Sequence, residues 1–361
     1  MLSKEKIIIS LNKVGRNATF HLVFWQITFF FYVFLVGDTN IFQHYAESSG
    51  LESIFFNITF LSIFNALVFV LIDLIFNDRL MRFFPISVTV FLKSVFYFSS
   101  AFLVIVMAAF PTMNISETTN YSEIFIELPA RNIHLLRFLI YFYFACFING
   151  FISGITKKIG RSNLKNWLLG ILNKPKEQER IFMFIDLKGS TTIAEKLLHK
   201  KFSHLVQDVF NDLSIIDNYD GEIYQYVGDG AIISWDLKTG LRRNNFLRAF
   251  YAFTNVLERR RRYYNRKYGL EPKFKAGVHV GKVMVLQVGQ IRRDISYNGD
   301  TLNTAARIES KCNEFKQNLM ISGDLFELLP DKKQYRFKNV GNIQLRGKKK
   351  GVDIYGVKEK N

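Results

Sequence analysis

Apolar and polar positions divide the chain into two halves with different periods. In the first half, nearly unbroken apolar runs lie at 18–37, 53–76, 86–110 and 133–155. Each is about the 20 residues that a helix needs to cross a bilayer's hydrocarbon core. In the second half, short apolar runs alternate with amphipathic stretches of helical spacing. The pattern predicts a strand ending at Asp186, a helix over 192–216, and two strands at 221–226 and 230–235 turning through Gly228-Asp229-Gly230. A long basic helix is expected over 242–268, then strands at 274–280 and 282–287. A further helix begins near Asp300, and short strands close the chain at Ile354-Tyr-Gly-Val357. The expected organisation is an all-α domain of four transmembrane spans at 1–155, a cytoplasmic connector at 156–180, and an α+β domain with a mostly antiparallel sheet at 181–361.

Charge adds an orientation. Lys4, Lys6, Lys13 and Arg16 precede the first run, Arg79 and Arg82 lie between the second and third, and Lys157, Lys158, Arg161 and Lys165 follow the fourth. The two remaining loops are polar and mostly acidic. By the positive-inside rule both termini, and the whole second half, face the cytoplasm from the inner membrane. No small-residue cleavage site follows the first run, so it is expected to be a retained span and not a signal peptide. The net charge of +17 then belongs beside anionic lipid, and no base-reading motif points to nucleic acid. In the connector, 167–172 is apolar between lysines, as in a short helix lying on the inner leaflet, and Pro175 ends it.

Few residues inside the spans carry chemistry. Asp73 and Lys93 lie on either side of a short turn, either as a self-neutralising pair or with Lys93 reaching the interface; a sensing pair is the functional alternative. His21 and His134 are read as interface histidines and not as haem ligands. The spans show neither repeats nor broken helices, which argues against a transporter. Cys146 and Cys312 fall in different halves, so there is no disulfide framework.

The second half is richer. Asp186 and Asp229 each end an apolar run and enter a glycine-containing turn. One Gly-Asp-Gly alone is an ordinary turn. Two such carboxylates can hold two hard divalent cations and a polyphosphate between them. Gly189, Ser190 and Thr191 can offer backbone N–H groups to phosphate at a helix N-terminus. Asn303 and Arg307, four residues apart on the last helix, share a face and suit a ribose and a pentavalent phosphate. Together these segments point to an enzyme acting on a nucleoside triphosphate.

Five segments, within about 181–357, resemble the class III nucleotidyl cyclases. They are Phe184-Ile-Asp186-Leu-Lys-Gly189-Ser190-Thr191, Val227-Gly-Asp229-Gly, Lys273-Phe-Lys-Ala-Gly277-Val-His-Val-Gly281, Ser296-Tyr-Asn-Gly299-Asp300-Thr-Leu-Asn303-Thr-Ala-Ala-Arg307 and Leu345-Arg-Gly-Lys348. The four-span arrangement is similar to bacterial membrane adenylate cyclases. The resemblance implies ATP as substrate and two Mg²⁺ or Mn²⁺ ions bridged by Asp186 and Asp229, with the Leu187 carbonyl completing one shell. It implies that Arg307 meets the transition-state charge and Asn303 holds the ribose. Lys273 and Ser296 would read the base, with Lys275 the alternative lysine if the register shifts by two. Lys348 would bind the β- and γ-phosphates. It further implies a homodimer with two sites across a two-fold axis, since the metal and transition-state residues would come from different subunits. Ser296 replaces the aspartate of animal enzymes, and a hydroxyl both accepts and donates, which leaves a guanylate or dual-specificity cyclase open. A catalytically silent nucleotide sensor is the remaining alternative.

Overall fold

The computed structural model describes residues 2–36, 40–75, 85–109, 133–159, 174–289, 294–344 and 351–360. The chain forms two compact units, Met1–Leu164 and Lys165–Asn361. The connector helix expected around 167–172, and Lys348, lie outside the described residues.

The first unit is helical: α1 (Leu2–Val36), α2 (Asn40–Ile75), α3 (Ile86–Ala109) and α4 (Ile133–Ile159). Among the described residues, three stretches are long and apolar enough to cross a membrane: Asn17–Leu35, Glu52–Ile75 and Leu136–Thr156. In α3 the described apolar stretch is shorter, Ser87–Ser99. Residues 40–49, expected as loop, are helical, and α2 breaks at Gly50, whose φ is +74°. The unit's core is aromatic. Trp25 stacks on Phe142, and Phe69 on Tyr97, with ring centroids 4.9 and 3.8 Å apart.

One buried polar group interrupts that core. Asp73 of α2 accepts from Lys93 Nζ at 2.5 Å and from the Tyr97 hydroxyl at 2.8 Å, both on α3, and its other oxygen lies 3.2 Å from His21 Nε2 of α1. Asp73, Lys93 and His21 are all buried. Lys93 therefore pairs inside the unit and does not extend to an interface, and His21 is committed to Asp73. The side chain of His134 lies outside the described residues.

The second unit is one eight-stranded sheet with helices packed against it. Its elements are β1 (Lys176–Leu187), α5 (Ser190–Leu213), β2 (Glu222–Val227), β3 (Gly230–Asp236), the short α6 (Leu237–Leu241), α7 (Asn245–Arg259), α8 (Arg261–Tyr268), β4 (Phe274–Val288), β5 (Asp294–Asn298), α9 (Asp300–Lys311), β6 (Leu319–Ser322), the short α10 (Gly323–Glu327), β7 (Tyr335–Ile343) and β8 (Val352–Glu359). The order is β2-β3-β1-β4-β6-β8-β7, with β5 added to β4. Every pair is antiparallel except β4–β6.

Three expectations change. β1 begins at Lys176, directly after Pro175, and takes in residues assigned to the connector. The basic helix is two, α7 and α8, meeting at Arg260. The two strands expected at 274–280 and 282–287 are the single strand β4. Gly281, which lies between the two expected strands, sits inside the β1–β4 ladder opposite Arg180. Cys146 and Cys312 are both free and buried.

Candidate active site

Asp186 is placed by the centre of the sheet. β1 runs between β3 and β4, and Ile181, Phe182, Met183 and Ile185 are all buried. Such a run cannot end inside the core without a polar group surfacing, and Asp186 is that group. The chain then turns at Lys188 and Gly189, and α5 starts at Ser190. Gly189 caps α5 in the left-handed region without a side-chain cap, so the first-turn N–H groups at Ser190 and Thr191 keep no side-chain acceptor there.

Asp229 arrives beside Asp186 on the β2–β3 turn. Ile185 pairs with Ala231, which brings the tip of that hairpin to the end of β1. Gly230 makes the approach possible. A Cβ there would lie 2.6 Å from the Ile185 carbonyl and 3.2 Å from Asp186 Oδ1. Burial, and then the negative charge of Asp229, hold the Asp186 carboxyl above its ordinary pKa. Asp229 Oδ2 is buried with no hydrogen-bond partner.

That orphaned oxygen beside a destabilised carboxylate is what a cation site looks like before a cation arrives. Two carboxylates also match how Mg²⁺ is held, by one or two protein oxygens with water and substrate phosphate supplying the rest. Among the described residues no cluster of three or more His, Cys, Asp or Glu is placed to hold a metal.

Lys275 faces Asp186 across the β1–β4 ladder. Its ammonium lies 3.3 Å from Asp186 Oδ2 and 2.6 Å from Glu309 Oε1. Burial alone would lower its pKa, but Glu309 and then Asp186 outweigh burial and raise it. Lys275 is thus a buried cation already paired with two carboxylates. Glu309 was not singled out in the sequence. The signal was present: it continues the buried stripe of α9 (Thr301, Thr304, Ala305, Ile308), and a carboxylate on such a stripe needs a buried cation.

α9 carries Asn303 and Arg307 on the side away from that stripe. The helix lies directly on β4, where Gly277 leaves room: a Cβ there would sit 2.1 Å from the Glu309 backbone nitrogen. Asn303 is exposed and Arg307 half-buried. Arg307 Nη1 is 3.9 Å from Asp300 Oδ1, too far for a hydrogen bond, and is buried without a partner. Arg307 Nη1 and Asp229 Oδ2 are thus two buried polar atoms of opposite character without a hydrogen-bond partner.

The structure does not bring the two base-reading candidates together. Lys273 is exposed just before β4, its carbonyl accepting the Lys188 N–H at 2.8 Å. Ser296 lies on β5 opposite Leu286, near the other end of β4. The intervening residues span on the order of 40 Å along the strand. Lys273 stands at the metal end and Ser296 on the arm, so one purine cannot meet both within a chain.

The sequence profile of the adenylate and guanylate cyclase catalytic domain matches residues 172–359. The chain belongs to this family. Adenylate cyclase 2 of Rhizobium meliloti (strain 1021) is 29% identical over 199 residues, 55% of this chain and 55% of that protein. Adenylate cyclase 1 of the same organism is 29% identical over 190 residues, 50% of this chain and 27% of that protein. The chain's match thus spans about half of the first relative and about a quarter of the second. The adenylyl cyclase CyaB from P. aeruginosa, a crystal structure, overlaps 52% of this chain and 97% of its own at 22% identity and a TM-score of 0.45.

Proposed function

We propose that this protein is a membrane-bound adenylate cyclase, converting ATP to 3′,5′-cyclic AMP and pyrophosphate at sites formed between two copies of the chain. The observation that carries the reading is the pairing of opposites: a buried, unpartnered Asp229 oxygen beside Asp186, and a buried, unpartnered Arg307 nitrogen on α9. Asp186 and Asp229 hold the metal end. Divalent cations bound there supply positive charge to the polyphosphate and acidify the ribose 3′-hydroxyl. The N–H groups around Gly189, Ser190 and Thr191 receive phosphate oxygens at the start of α5. Asn303 orients the ribose so that its 3′-oxygen lines up with the α-phosphate. Arg307 meets the charge that grows on that phosphate. Ser296 reads the base edge without Lys273.

Two copies are needed because, within a chain, Asp186 touches α9 through Lys275 and Glu309 and not through Asn303 or Arg307. A two-fold partner would set the outward face of its own α9 against Asp186 and Asp229, giving two equivalent sites. The apolar helices support a membrane location, and the positive-inside pattern of the loops supports the reading of four spans in the inner membrane with both termini in the cytoplasm. A guanylate or dual-specificity cyclase is the second reading, because a serine hydroxyl at position 296 can serve either purine.

The test is to incubate full-length protein in detergent with Mn²⁺ and either ATP or GTP, and to quantify cyclic nucleotides by chromatography. Cyclic AMP from ATP is expected. An Arg307→Ala variant should lose about 10²–10³-fold in kcat, as when one donor to a transition-state oxyanion is removed. Cyclic GMP at equal yield would establish the second reading. No cyclic nucleotide from dimeric protein would reject both.

A further inference from the structure

Ser296 and Asn298 form a polar pair on β5. Residues 296 to 298 lie on β5, where alternate side chains share a face. Tyr297 points inward. It is buried, packed edge-on against Phe182 and Tyr224 with centroids 5.3 and 4.8 Å away. Ser296 and Asn298 therefore project together from the opposite face. The Ser296 hydroxyl donates to Asn298 Oδ1 at 3.1 Å. Tyr297 anchors the strand from behind, and the Ser296–Asn298 hydrogen bond lies on its exposed side.

A serine hydroxyl has one hydrogen and two lone pairs. With its hydrogen given to Asn298, Ser296 has only lone pairs for a ligand. Adenine presents a donor amino group at its 6-position, and guanine presents an acceptor carbonyl. A lone pair accepts from the first and repels the second, where two acceptors would face each other. A free hydroxyl would rotate and serve either. Asn298 thus converts an ambiguous serine into an acceptor.

We propose that Asn298 is a specificity-determining positioning residue, which orients the Ser296 hydroxyl as an acceptor and so selects adenine over guanine. This rests on the reading of the protein as a purine nucleotide cyclase. Asn298 acts through Ser296 and need not touch the nucleotide.

The experiment measures kcat/KM for ATP and for GTP, with Mn²⁺, on the full-length chain in detergent. The variants are Asn298→Leu, Asn298→Asp, Ser296→Ala and Ser296→Ala/Asn298→Leu. Asn298→Leu removes the acceptor and should cut the ATP:GTP ratio about tenfold, GTP turnover rising as ATP turnover falls. Asn298→Asp keeps an acceptor and cannot donate, so it should hold the ratio at or above the wild-type value. In the Ser296→Ala background, Asn298→Leu should change the ratio less than twofold, because the hydroxyl it orients is gone. An unchanged ratio in Asn298→Leu overturns the proposal, as does an equal effect with and without Ser296. A general loss of activity, equal for both nucleotides in Asn298→Leu, also overturns it and marks Asn298 as structural. If the wild type yields no cyclic nucleotide from either substrate, the cyclase reading falls and takes this proposal with it; an active enzyme with an unmoved ratio sinks this proposal alone.

Discussion

At the scale of single residues, the site stores its function as local instability. Asp186 is half-buried against Asp229, and its carboxyl is held above the ordinary range first by burial and then by that neighbour. A carboxyl with a raised folded pKa favours the fold when protonated. Its contribution is present below the unfolded value of about 4 and is lost as pH rises through the folded value. At neutral pH, keeping Asp186 ionised therefore costs stability, which a divalent cation would return. Asp186→Asn should raise the metal-free thermal midpoint at pH 7.5 by roughly 2–4 °C, the effect of about 1 kcal/mol. The gain should vanish toward pH 4, and Mn²⁺ should no longer stabilise the variant. Scanning calorimetry in EDTA and in Mn²⁺ checks this. A lower midpoint in EDTA would instead show that the contact with Lys275 matters more than the repulsion from Asp229. The two aspartates were legible in the sequence only as a pair, each following an apolar run at a glycine turn, where either alone reads as an ordinary turn residue. Glu309 and Asn298 were not, since their meaning lies in partners brought by tertiary packing, Lys275 for one and Ser296 for the other.

At the scale of elements, what periodicity could and could not say is clear at β4. Alternation placed apolar residues on both sides of Gly281 correctly, but a glycine between two apolar runs reads equally as a hairpin turn or as strand. As a turn, it would fold the chain back and carry Lys273 toward Ser296. As strand, paired opposite Arg180, it holds them at opposite ends. In the helical unit, the likeness of Asp73 and Lys93 to a pair was visible from their spacing, whereas the parts of His21 and Tyr97 were not. This buried group ties α1, α2 and α3 through one carboxylate, and breaking it singly should be costly. Asp73→Asn leaves Lys93 as an uncompensated buried cation, and Lys93→Met leaves the carboxylate. Each should cost about 3–5 kcal/mol, while the double variant should recover most of the loss, its amide still serving Tyr97 and His21. Unfolding of the four proteins in the same detergent completes the cycle. Additive losses would show that the two charges do not depend on each other.

At the scale of the whole molecule, the proposed dimer requires one chain to carry two halves of a site that it does not itself join. Asp186 and Asp229 stand at the end of β1, and Asn303 and Arg307 face outward from α9. If two chains complete one another about a two-fold axis, then Asp186→Asn disables both sites of its own dimer, and Arg307→Ala does the same. A dimer of one variant with the other is different. One of its two sites collects both lesions, and the second receives Asp186 from one chain and Arg307 from the other, both intact. Random pairing of equal amounts makes half the dimers mixed, each with one sound site of two. Co-expression of the two inactive variants should therefore restore about a quarter of wild-type cyclic AMP production, from chains that separately make almost none. Differently tagged copies, purified in tandem, would isolate the mixed dimer and raise its activity to about half of wild type per dimer. Restoration requires both that the product be made between subunits and that Asp186 and Arg307 serve the same reaction. Two inactive variants that stay inactive together, in a mixed dimer shown to have formed, would mean that each chain builds its site alone.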